Sequence, residues 1–286
     1  MAAITASMVK ELREITGAGM MECKKALTEA EADIEKAIDI LRTRGLAAVA
    51  KKAGRATNEG IVMPVVCDKG TCGAIVEINC ETDFVAINDK FKAYAERIAR
   101  AALIAQANDV DTLKAAEIDG ETVEAILTDA IHVLGENIQI ARVTFVQGAG
   151  VASYIHTDGK KAALVIFDVE GIDPTSAEFA RCGRDVAMQA VAMNPVAANR
   201  ESVPAEIIEH EKSIYMAQAA ESGKPEAIQE KMASGRLEKF LKENCLAEQA
   251  FVKNGDQTVA QYVDEVAKNL GGTLKIVDFK RFMLGE

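Results

Sequence analysis

The residues of this 286-residue chain whose types could support catalysis are few and scattered. Glu81 and Asp83 are close enough in sequence for paired acid-base chemistry, but no other convergent group accompanies them, so we expect solvated loop carboxylates. We find no Walker-type glycine-rich loop, Rossmann fingerprint, Ser-His-Asp arrangement or metal-spaced His/Glu motif. The sequence therefore predicts a protein that is not an enzyme, with no catalytic residues and no cofactor.

Three cysteines form the second group that could support chemistry. Cys67 and Cys72 could pair in an oxidising compartment, and together with Cys80 they suggest the metal site of a metal-dependent enzyme. None of the six cysteines forms a Cys-x-x-Cys pair, however, and the three histidines lie far away in sequence. We therefore expect reduced, buried thiols and no metal.

The net charge and the distribution of apolar residues indicate which partners this chain can bind. The net charge is −11, and the basic residues do not cluster over any long run, so a phosphate backbone would be repelled. Residues 1–20 show no signal-peptide pattern, and no apolar run is long enough to span a bilayer. We expect a soluble, cytoplasmic protein that binds neither nucleic acid directly nor a membrane.

The stretch from Glu77 to Ala86 joins a strand to a helix. Alternating β-branched residues up to Asn79 predict a strand, and helical spacing of apolar residues from Phe91 onward predicts an amphipathic helix. The chain turns between them on Thr82, Asp83 and Phe84. A large apolar ring is unusual at such a polar corner. It either packs back on its own subdomain or is an anchor presented to a partner, with Asp83 as the polar specifier; the pattern alone cannot choose.

The surrounding elements follow from periodicity. The pattern of residues 1–54 predicts three short amphipathic helices, with Thr5 and Asp33 as caps and Gly17-Ala18-Gly19 as a turn. Because such short helices can bury their apolar faces only against one another, we expect a three-helix bundle. Residues 55–60 are polar, which indicates a linker. A hairpin around residues 68–71, a helix over 89–104, a helix around 121–134 and a strand over 138–146 follow.

The same order then recurs. Residues 151–156 and 162–169 predict another hairpin, which a helix follows, and Gly70, Ala74, Val76 and Glu81 align with Gly159, Ala163, Val165 and Glu170 at one constant offset. Two helical runs, 205–222 and 226–243, flank Gly223-Lys224-Pro225 and predict an antiparallel helical hairpin. The residues from Thr273 onward alternate like a final strand.

Two segments carry a family resemblance. The stretch from Glu77 to Ala86, centred on Thr82-Asp83-Phe84-Val85, resembles one signature of bacterial elongation factor Ts, the nucleotide-exchange factor of elongation factor Tu; Ile87 departs from that pattern. The stretch from Leu12 to Leu27 is similar to the other signature. The resemblance implies an N-terminal module like a ubiquitin-associated (UBA) domain, two related core subdomains and a coiled-coil insertion.

The resemblance also implies which residues touch elongation factor Tu, in its GDP-bound and nucleotide-free states. Thr82, Asp83, Phe84 and Val85 would dislocate its Mg²⁺. The other implied contacts are Met20 and Met21, Leu134 and Gly135, and Tyr154 and His156. The helical hairpin is implied to be a projecting arm for homodimer formation or partner contact, and some members continue into a further helix whose contact we expect to be missing here.

We therefore predict an α+β protein with a UBA-like helical bundle over residues 1–54, a linker over 55–60, a first core subdomain over 61–146 and a second over 147–286 that includes the helical hairpin 205–243. The predicted function is guanine-nucleotide exchange on elongation factor Tu in translation. The alternative is an adaptor whose N-terminal bundle binds ubiquitin-like or peptide ligands, without exchange activity.

Overall fold

The computed structural model describes residues 4–16 and 18–286, and at residues 46–51 it describes the backbone alone. The predicted turn residue Gly17 lies outside the described residues. The helices are α1 (Ala6–Thr16), α2 (Met20–Glu29), α3 (Ile34–Lys52), α4 (Asp83–Ala86), α5 (Asp89–Ala105), α6 (Val110–Ala115), α7 (Val123–Leu134), α8 (Ala177–Met193), α9 (Ala205–Ala220), α10 (Glu226–Asn244) and α11 (Val259–Leu270). The strands are β1 (Glu59–Val66), β2 (Cys72–Cys80), β3 (Glu117–Ile118), β4 (Glu121–Thr122), β5 (Gln139–Gln147), β6 (Gly150–Ile155), β7 (Lys161–Glu170), β8 (Ala250–Phe251), β9 (Asn254–Thr258) and β10 (Thr273–Met283).

The first three helices pack on one another. Their shared core is apolar and closed, and it consists of Val9, Leu12, Ala18, Cys23, Ala26, Leu27, Ala30, Ala37 and Leu41. The Thr5 hydroxyl accepts a hydrogen bond from the Met8 amide (3.3 Å), and the Asp33 carboxylate accepts one from the Lys36 amide (3.1 Å). Both predicted caps are therefore confirmed, because each satisfies an amide that has no partner inside its helix.

Two three-stranded sheets follow the helical bundle, and two two-stranded sheets, β3–β4 and β8–β9, accompany them. In the first, β2 lies between β1 and β5; in the second, β7 lies between β6 and β10. Strand β7 pairs antiparallel with both neighbours, and a bulge interrupts its register with β10 between Ile276 and Asp278. In each sheet a hairpin supplies an outer and a central strand, and a later strand closes the other side. The predicted repeat is thus confirmed in the strand order.

The core of the second sheet shows why this arrangement is stable. Phe167 of β7 meets Phe179 of α8 edge to face, with ring centroids 5.5 Å apart, and both rings are fully buried. Helix α11 adds Val259, Val263 and Ala267 to the same core. The alternation of apolar residues predicted β10, whereas α11 was not among the predicted elements.

Helices α9 and α10 form the predicted helical hairpin. The turn uses Gly223 at φ +65°, and Pro225 directly precedes the first residue of α10. A left-handed backbone favours glycine, and proline suits the start of a helix because it lacks an amide hydrogen. A role of this hairpin in homodimer formation stays a prediction.

The α+β class, with an N-terminal helical bundle before the sheets, is confirmed. The chain divides into two compact units, one formed by residues 1–63, 76–143 and 284–286, and the other by 64–75 and 144–283. Of the predicted linker, residues 55–58 lie between α3 and β1, whereas residues 59 and 60 begin β1. The backbone carbonyl of Arg55 accepts a hydrogen bond from the Asn137 side chain (2.8 Å). The predicted domain boundaries stay predictions. None of the helices in the described ranges is long and apolar enough to cross a membrane.

The cysteines correct one expectation. All six are free thiols, and Cys23, Cys80, Cys182 and Cys245 are buried as predicted. Cys67 and Cys72 are only half-buried, so the prediction was wrong for these two. The physical reason is their position beside the exposed turn of the β1–β2 hairpin.

Candidate functional site

The predicted anchor Phe84 lies on a single helical turn directly after the central strand of the first sheet. Thr82 caps this turn, because its hydroxyl accepts a hydrogen bond from the Val85 amide (3.4 Å). Asp83 and Phe84 then point to solvent, and the Phe84 side chain is 79% exposed. Val85 is half-buried, and Ala86 is buried beneath the turn. The interpretation in which the ring packs back on its own subdomain is therefore wrong.

The corner is held from outside by one carboxylate. Glu136 accepts hydrogen bonds through Oε2 from the backbone amides of Glu81 and Thr82, both at 3.0 Å, and through Oε1 from the Thr82 hydroxyl at 2.6 Å. Hydrogen bonds to a charged acceptor are stronger than neutral ones. Three of them on two consecutive residues fix the direction in which the chain leaves β2, and therefore where Phe84 stands.

A second carboxylate, that of Glu81, links the same two segments in the opposite direction. Glu81 Oε1 accepts from the backbone amide of Asn137 (2.6 Å) and lies 3.4 Å from the Arg55 guanidinium. Glu81 is thus half-buried and structural, so the expectation of a solvated carboxylate was wrong for it, whereas Asp83 is exposed as expected. We call residues 81–85 together with 135–137 the clamped corner.

The predicted contact pair Leu134 and Gly135 belongs to the other side of the clamped corner. Helix α7 ends at Leu134, and Gly135 follows it in the left-handed region at φ +81°. Because only glycine adopts this conformation without strain, the chain can reverse within one residue and place Glu136 against Thr82. Leu134 is half-buried and Gly135 is exposed. Because the next residue, Glu136, is hydrogen-bonded to Thr82, these two residues lie close to the turn that carries the predicted anchor.

Met20 and Met21 open helix α2. Gly19 precedes them, and the first turn of the helix is closed by a hydrogen bond from the Cys23 amide to the Gly19 carbonyl (3.0 Å). Both side chains face solvent, at 59% and 64% exposure, while Cys23 is buried in the bundle core. Neither methionine is a core residue, and flexible thioether side chains on a surface are typical of adaptable contacts.

Tyr154 and His156 lie in the second unit, at the end of β6. The Tyr154 hydroxyl and His156 Nδ1 are 3.1 Å apart, so each side chain orients the other. The Arg184 guanidinium lies 6.0 Å from the centre of the Tyr154 ring. His156 begins the hairpin turn and is exposed. This pair forms a small polar surface of its own.

Two contributors to the site have no signal in the local sequence pattern. Glu136 acts on residues 54 and 55 positions earlier in the chain, so no local periodicity points to it. Ile87, which departs from the family pattern, is exposed beside Phe84 and enlarges the apolar surface of the corner. The role of Glu136 follows from the fold, which brings residues 81 and 82 next to 136 and 137.

The cysteines do not converge on a metal. Cys80 ends β2, eight residues after Cys72 begins it, which separates them by about 27 Å in an extended strand. Its sulfur donates to the Thr82 carbonyl at 3.2 Å, and burial raises its pKa to about 12. Within the part of the chain that the structure describes, no three His, Cys, Asp or Glu side chains are grouped to hold a metal ion.

These features define an α+β protein that exposes a large apolar ring, Phe84, on a hydrogen-bonded turn after the central strand of its first sheet. The model of the family Elongation factor TS matches residues 81–286, more than half of the chain. A protein named elongation factor Ts from Clostridioides difficile is 48% identical over 288 residues, which cover 100% of this chain and 94% of that relative.

Two further relatives with the same name agree. One from Clostridium perfringens is 47% identical over 286 residues, and one from Trichlorobacter lovleyi is 47% identical over 290 residues; each alignment covers 99% of this chain and 93% of the relative. The chain belongs to the elongation factor Ts family of translation elongation factors.

Proposed function

We propose that this chain is the guanine-nucleotide exchange factor of elongation factor Tu, and that it promotes GDP release by inserting Thr82, Asp83, Phe84 and Val85 beside the nucleotide site of that GTPase. The observation that carries this proposal is the exposure of the Phe84 ring, 79%, on a corner that hydrogen bonds hold in place. Family membership supports the choice of partner.

The exposed ring supplies binding energy. Burying a phenylalanine side chain against a partner stabilises the complex by about 2 to 3 kcal/mol, which corresponds to a factor of about 30 to 150 in affinity. The clamped corner is ordered before the partner arrives, so little conformational entropy is lost on binding. Phe84 can therefore act as a wedge instead of relaxing around its partner.

The wedge acts on a metal that tolerates little displacement. In P-loop GTPases, Mg²⁺ bridges the nucleotide phosphates and the protein, and it requires near-ideal octahedral geometry. A ring inserted next to that site shifts the backbone that holds the metal, and Asp83 hydrogen-bonds a group of the displaced arrangement. Without Mg²⁺ the phosphate charge is poorly neutralised, and GDP leaves.

Further contacts hold the two proteins together. Met20 and Met21 form one surface, and Tyr154 with His156 forms another; Leu134 and Gly135 extend the clamped corner. Binding of the factor and of nucleotide must then oppose each other equally, because coupling between equilibrium affinities is reciprocal. Entry of GTP expels the factor, so this chain needs no catalytic site and no nucleotide site.

The test is stopped-flow release of a fluorescent GDP analogue from elongation factor Tu. The Phe84→Ala variant should lower the acceleration of release about 10- to 100-fold at a fixed concentration, because the wedge is gone while the exposed corner keeps its fold. Ile104→Ala is the matched control: this side chain is 67% exposed on α5, near the opposite end of that helix from the corner. It should leave the release rate unchanged.

Two outcomes would contradict the proposal. If Phe84→Ala accelerates GDP release as well as the parent chain does, the wedge role is wrong. If the parent chain has no effect on release but its N-terminal helices bind a ubiquitin-like or peptide ligand, the adaptor alternative is correct.

A further inference from the structure

Cys67 and Cys72 face each other across the β1–β2 hairpin. The Cys67 amide donates to the Cys72 carbonyl at 2.9 Å, so the two residues are direct partners where the hairpin closes. Facing residues of an antiparallel pair have Cα atoms about 4.5 to 5.5 Å apart, and a disulfide spans Cα separations of about 4.4 to 6.8 Å. The backbone geometry therefore suits a covalent link between them.

The Cys67 sulfur points toward Cys72, and the two side chains are hydrogen-bonded to each other. The Cys72 amide donates to Cys67 Sγ at 3.1 Å, which places that sulfur on the Cys72 side of the hairpin. The Thr71 hydroxyl lies 3.8 Å from the same sulfur. Both cysteines are half-buried, so a small reagent reaches them from solvent.

The turn that joins them is firmly held. Gly70 adopts φ +65°, and a Cβ at this position would stand 2.6 Å from the Pro174 carbonyl oxygen. The Gly70 carbonyl accepts from the Val151 amide (2.7 Å), and the Thr71 carbonyl accepts from the Gly148 amide (2.9 Å). The two thiols are thus kept as neighbours by contacts on both sides of the turn.

The electrostatic setting makes the two thiols unequal. Partial burial opposes ionisation of Cys67, but hydrogen bonds from Cys72 and Thr71 outweigh it and lower the pKa of its thiol to about 7. Burial, followed by the interaction with Cys67, raises the pKa of Cys72 to about 11. Near neutral pH a substantial fraction of Cys67 is therefore thiolate, the nucleophilic form, whereas Cys72 keeps its proton.

We propose that Cys67 and Cys72 form a peroxide-reactive dithiol, in which Cys67 is the attacking residue, Cys72 the resolving residue, and a hydroperoxide the oxidant. The Cys67 thiolate attacks one peroxide oxygen; the O–O bond breaks, the sulfur keeps that oxygen as a sulfenic acid, and the other oxygen takes up a proton and leaves as an alcohol or water. The sulfur loses two electrons and the peroxide gains two. Cys72 then attacks the Cys67 sulfur, a disulfide forms, and the sulfenic oxygen leaves as water.

The experiment treats the reduced full-length chain with one equivalent of hydrogen peroxide without air, then alkylates and counts thiols after unfolding. The parent chain has six cysteines and should fall to four free thiols. Trypsin cuts after Lys69, between the two cysteines, so the disulfide should join peptides 56–69 and 70–90. Fragmentation of the second peptide distinguishes Cys72 from the buried Cys80.

Variants separate the roles. Cys67→Ser should abolish the peroxide-dependent loss of thiols, whereas Cys72→Ser should stop at a Cys67 sulfenic acid that a dimedone reagent traps. Thr71→Val removes the hydroxyl beside Cys67 Sγ and should slow the reaction without abolishing it. In the parent chain the rate of Cys67 alkylation should reach half its maximum near pH 7.

The parent chain decides the outcome even where a variant does not fold. Six remaining thiols after peroxide treatment would overturn the proposal, as would a disulfide that joins any other pair. Equal alkylation rates at Cys67 and Cys72 across the pH range would also overturn it, because the two roles require unequal thiols.

Discussion

Glu136 is the residue on which the presentation of Phe84 depends. Replacing it with alanine leaves the amides of Glu81 and Thr82 and the Thr82 hydroxyl without their shared acceptor. We expect Glu136→Ala to lower the free energy of unfolding by about 2 kcal/mol, because the group is half-buried and solvent replaces part of the lost bonding. Urea unfolding followed by circular dichroism measures this change.

A matched control separates the clamp from a general loss of negative charge. Glu230 is exposed on α10, and Glu230→Ala should change the free energy of unfolding by less than about 0.5 kcal/mol. Glu136→Gln keeps one acceptor oxygen and should fall between the two. Equal stability of all three variants would show that Glu136 does not hold the corner.

The role of a residue could be predicted from the sequence only where its neighbours in the chain indicate that role. Phe84 is recognisable because a large ring at a polar corner contradicts the surrounding pattern, and the caps Thr5 and Asp33 follow from their position before apolar runs. Glu136 could not be found in this way, since its three partners are more than fifty positions away. Its role exists only once the fold has brought two turns together.

Two glycines within helices allow the effect of an added methyl group on stability to be compared at a packed and at an open position. A Cβ at Gly183 of α8 would overlap the Cβ of Ala152 in β6, whereas a Cβ at Gly235 of α10 would meet nothing within 4 Å. We expect Gly183→Ala to destabilise the chain by about 1 to 3 kcal/mol, because overpacking outweighs the better helix propensity of alanine. Gly235→Ala should stabilise it by about 1 kcal/mol. Thermal and urea unfolding measure both.

The cause of the Gly183 effect can be checked by restoring the space. Ala152→Gly removes the methyl group that the new Cβ would strike, so the double variant should lose less stability than the sum of the two single variants. Strict additivity would mean that helix α8 and strand β6 do not collide there.

Helices and strands with a strong apolar periodicity could be predicted from the sequence, whereas elements too short to show a periodicity could not. The hairpin strands and α5, α9 and α10 follow from their spacing. Helix α11 begins with a signal that is visible in the sequence: Thr258 and Gln261 form a capping box, in which the Gln261 side chain accepts a hydrogen bond from the Thr258 amide at 2.8 Å. The two-residue strands β3 and β4 flank Asp119-Gly120 and are too short to show alternation.

At the scale of the whole molecule, carboxylates with lowered pKa values are distributed along the chain. Asp33, Asp109 and Asp173 accept hydrogen bonds from residues two or three positions ahead, and Glu248 accepts from Arg200; these bonds lower each pKa. Because each pKa is lower in the folded chain than in the unfolded one, the stabilisation is complete above the unfolded pKa of about 4 and is lost as the pH falls through the folded value. We expect the midpoint of urea unfolding to fall steadily below about pH 4.

Glu248 tests this reasoning at one position. Arg200 Nη2 donates to Glu248 Oε2 at 2.7 Å, and Arg200 Nε donates to the other carboxylate oxygen. Glu248→Gln should unfold at a lower urea concentration than the parent chain at pH 7, and the gap should narrow as the pH falls to 3. A gap that stays constant with pH would contradict the assignment.

The two three-stranded sheets differ in how the chain leaves the central strand. At the offset that relates β2 to β7, the position of Phe84 corresponds to Asp173, and that of Thr82 to Gly171. In the second copy the chain leaves the central strand through Gly171 at φ +73°, and Asp173 binds its own neighbour Thr175 at 2.8 Å. The same strand order therefore accommodates an exposed aromatic ring after one central strand and a glycine bend after the other, so a few loop positions can set the surface chemistry without any change to the strands beneath them.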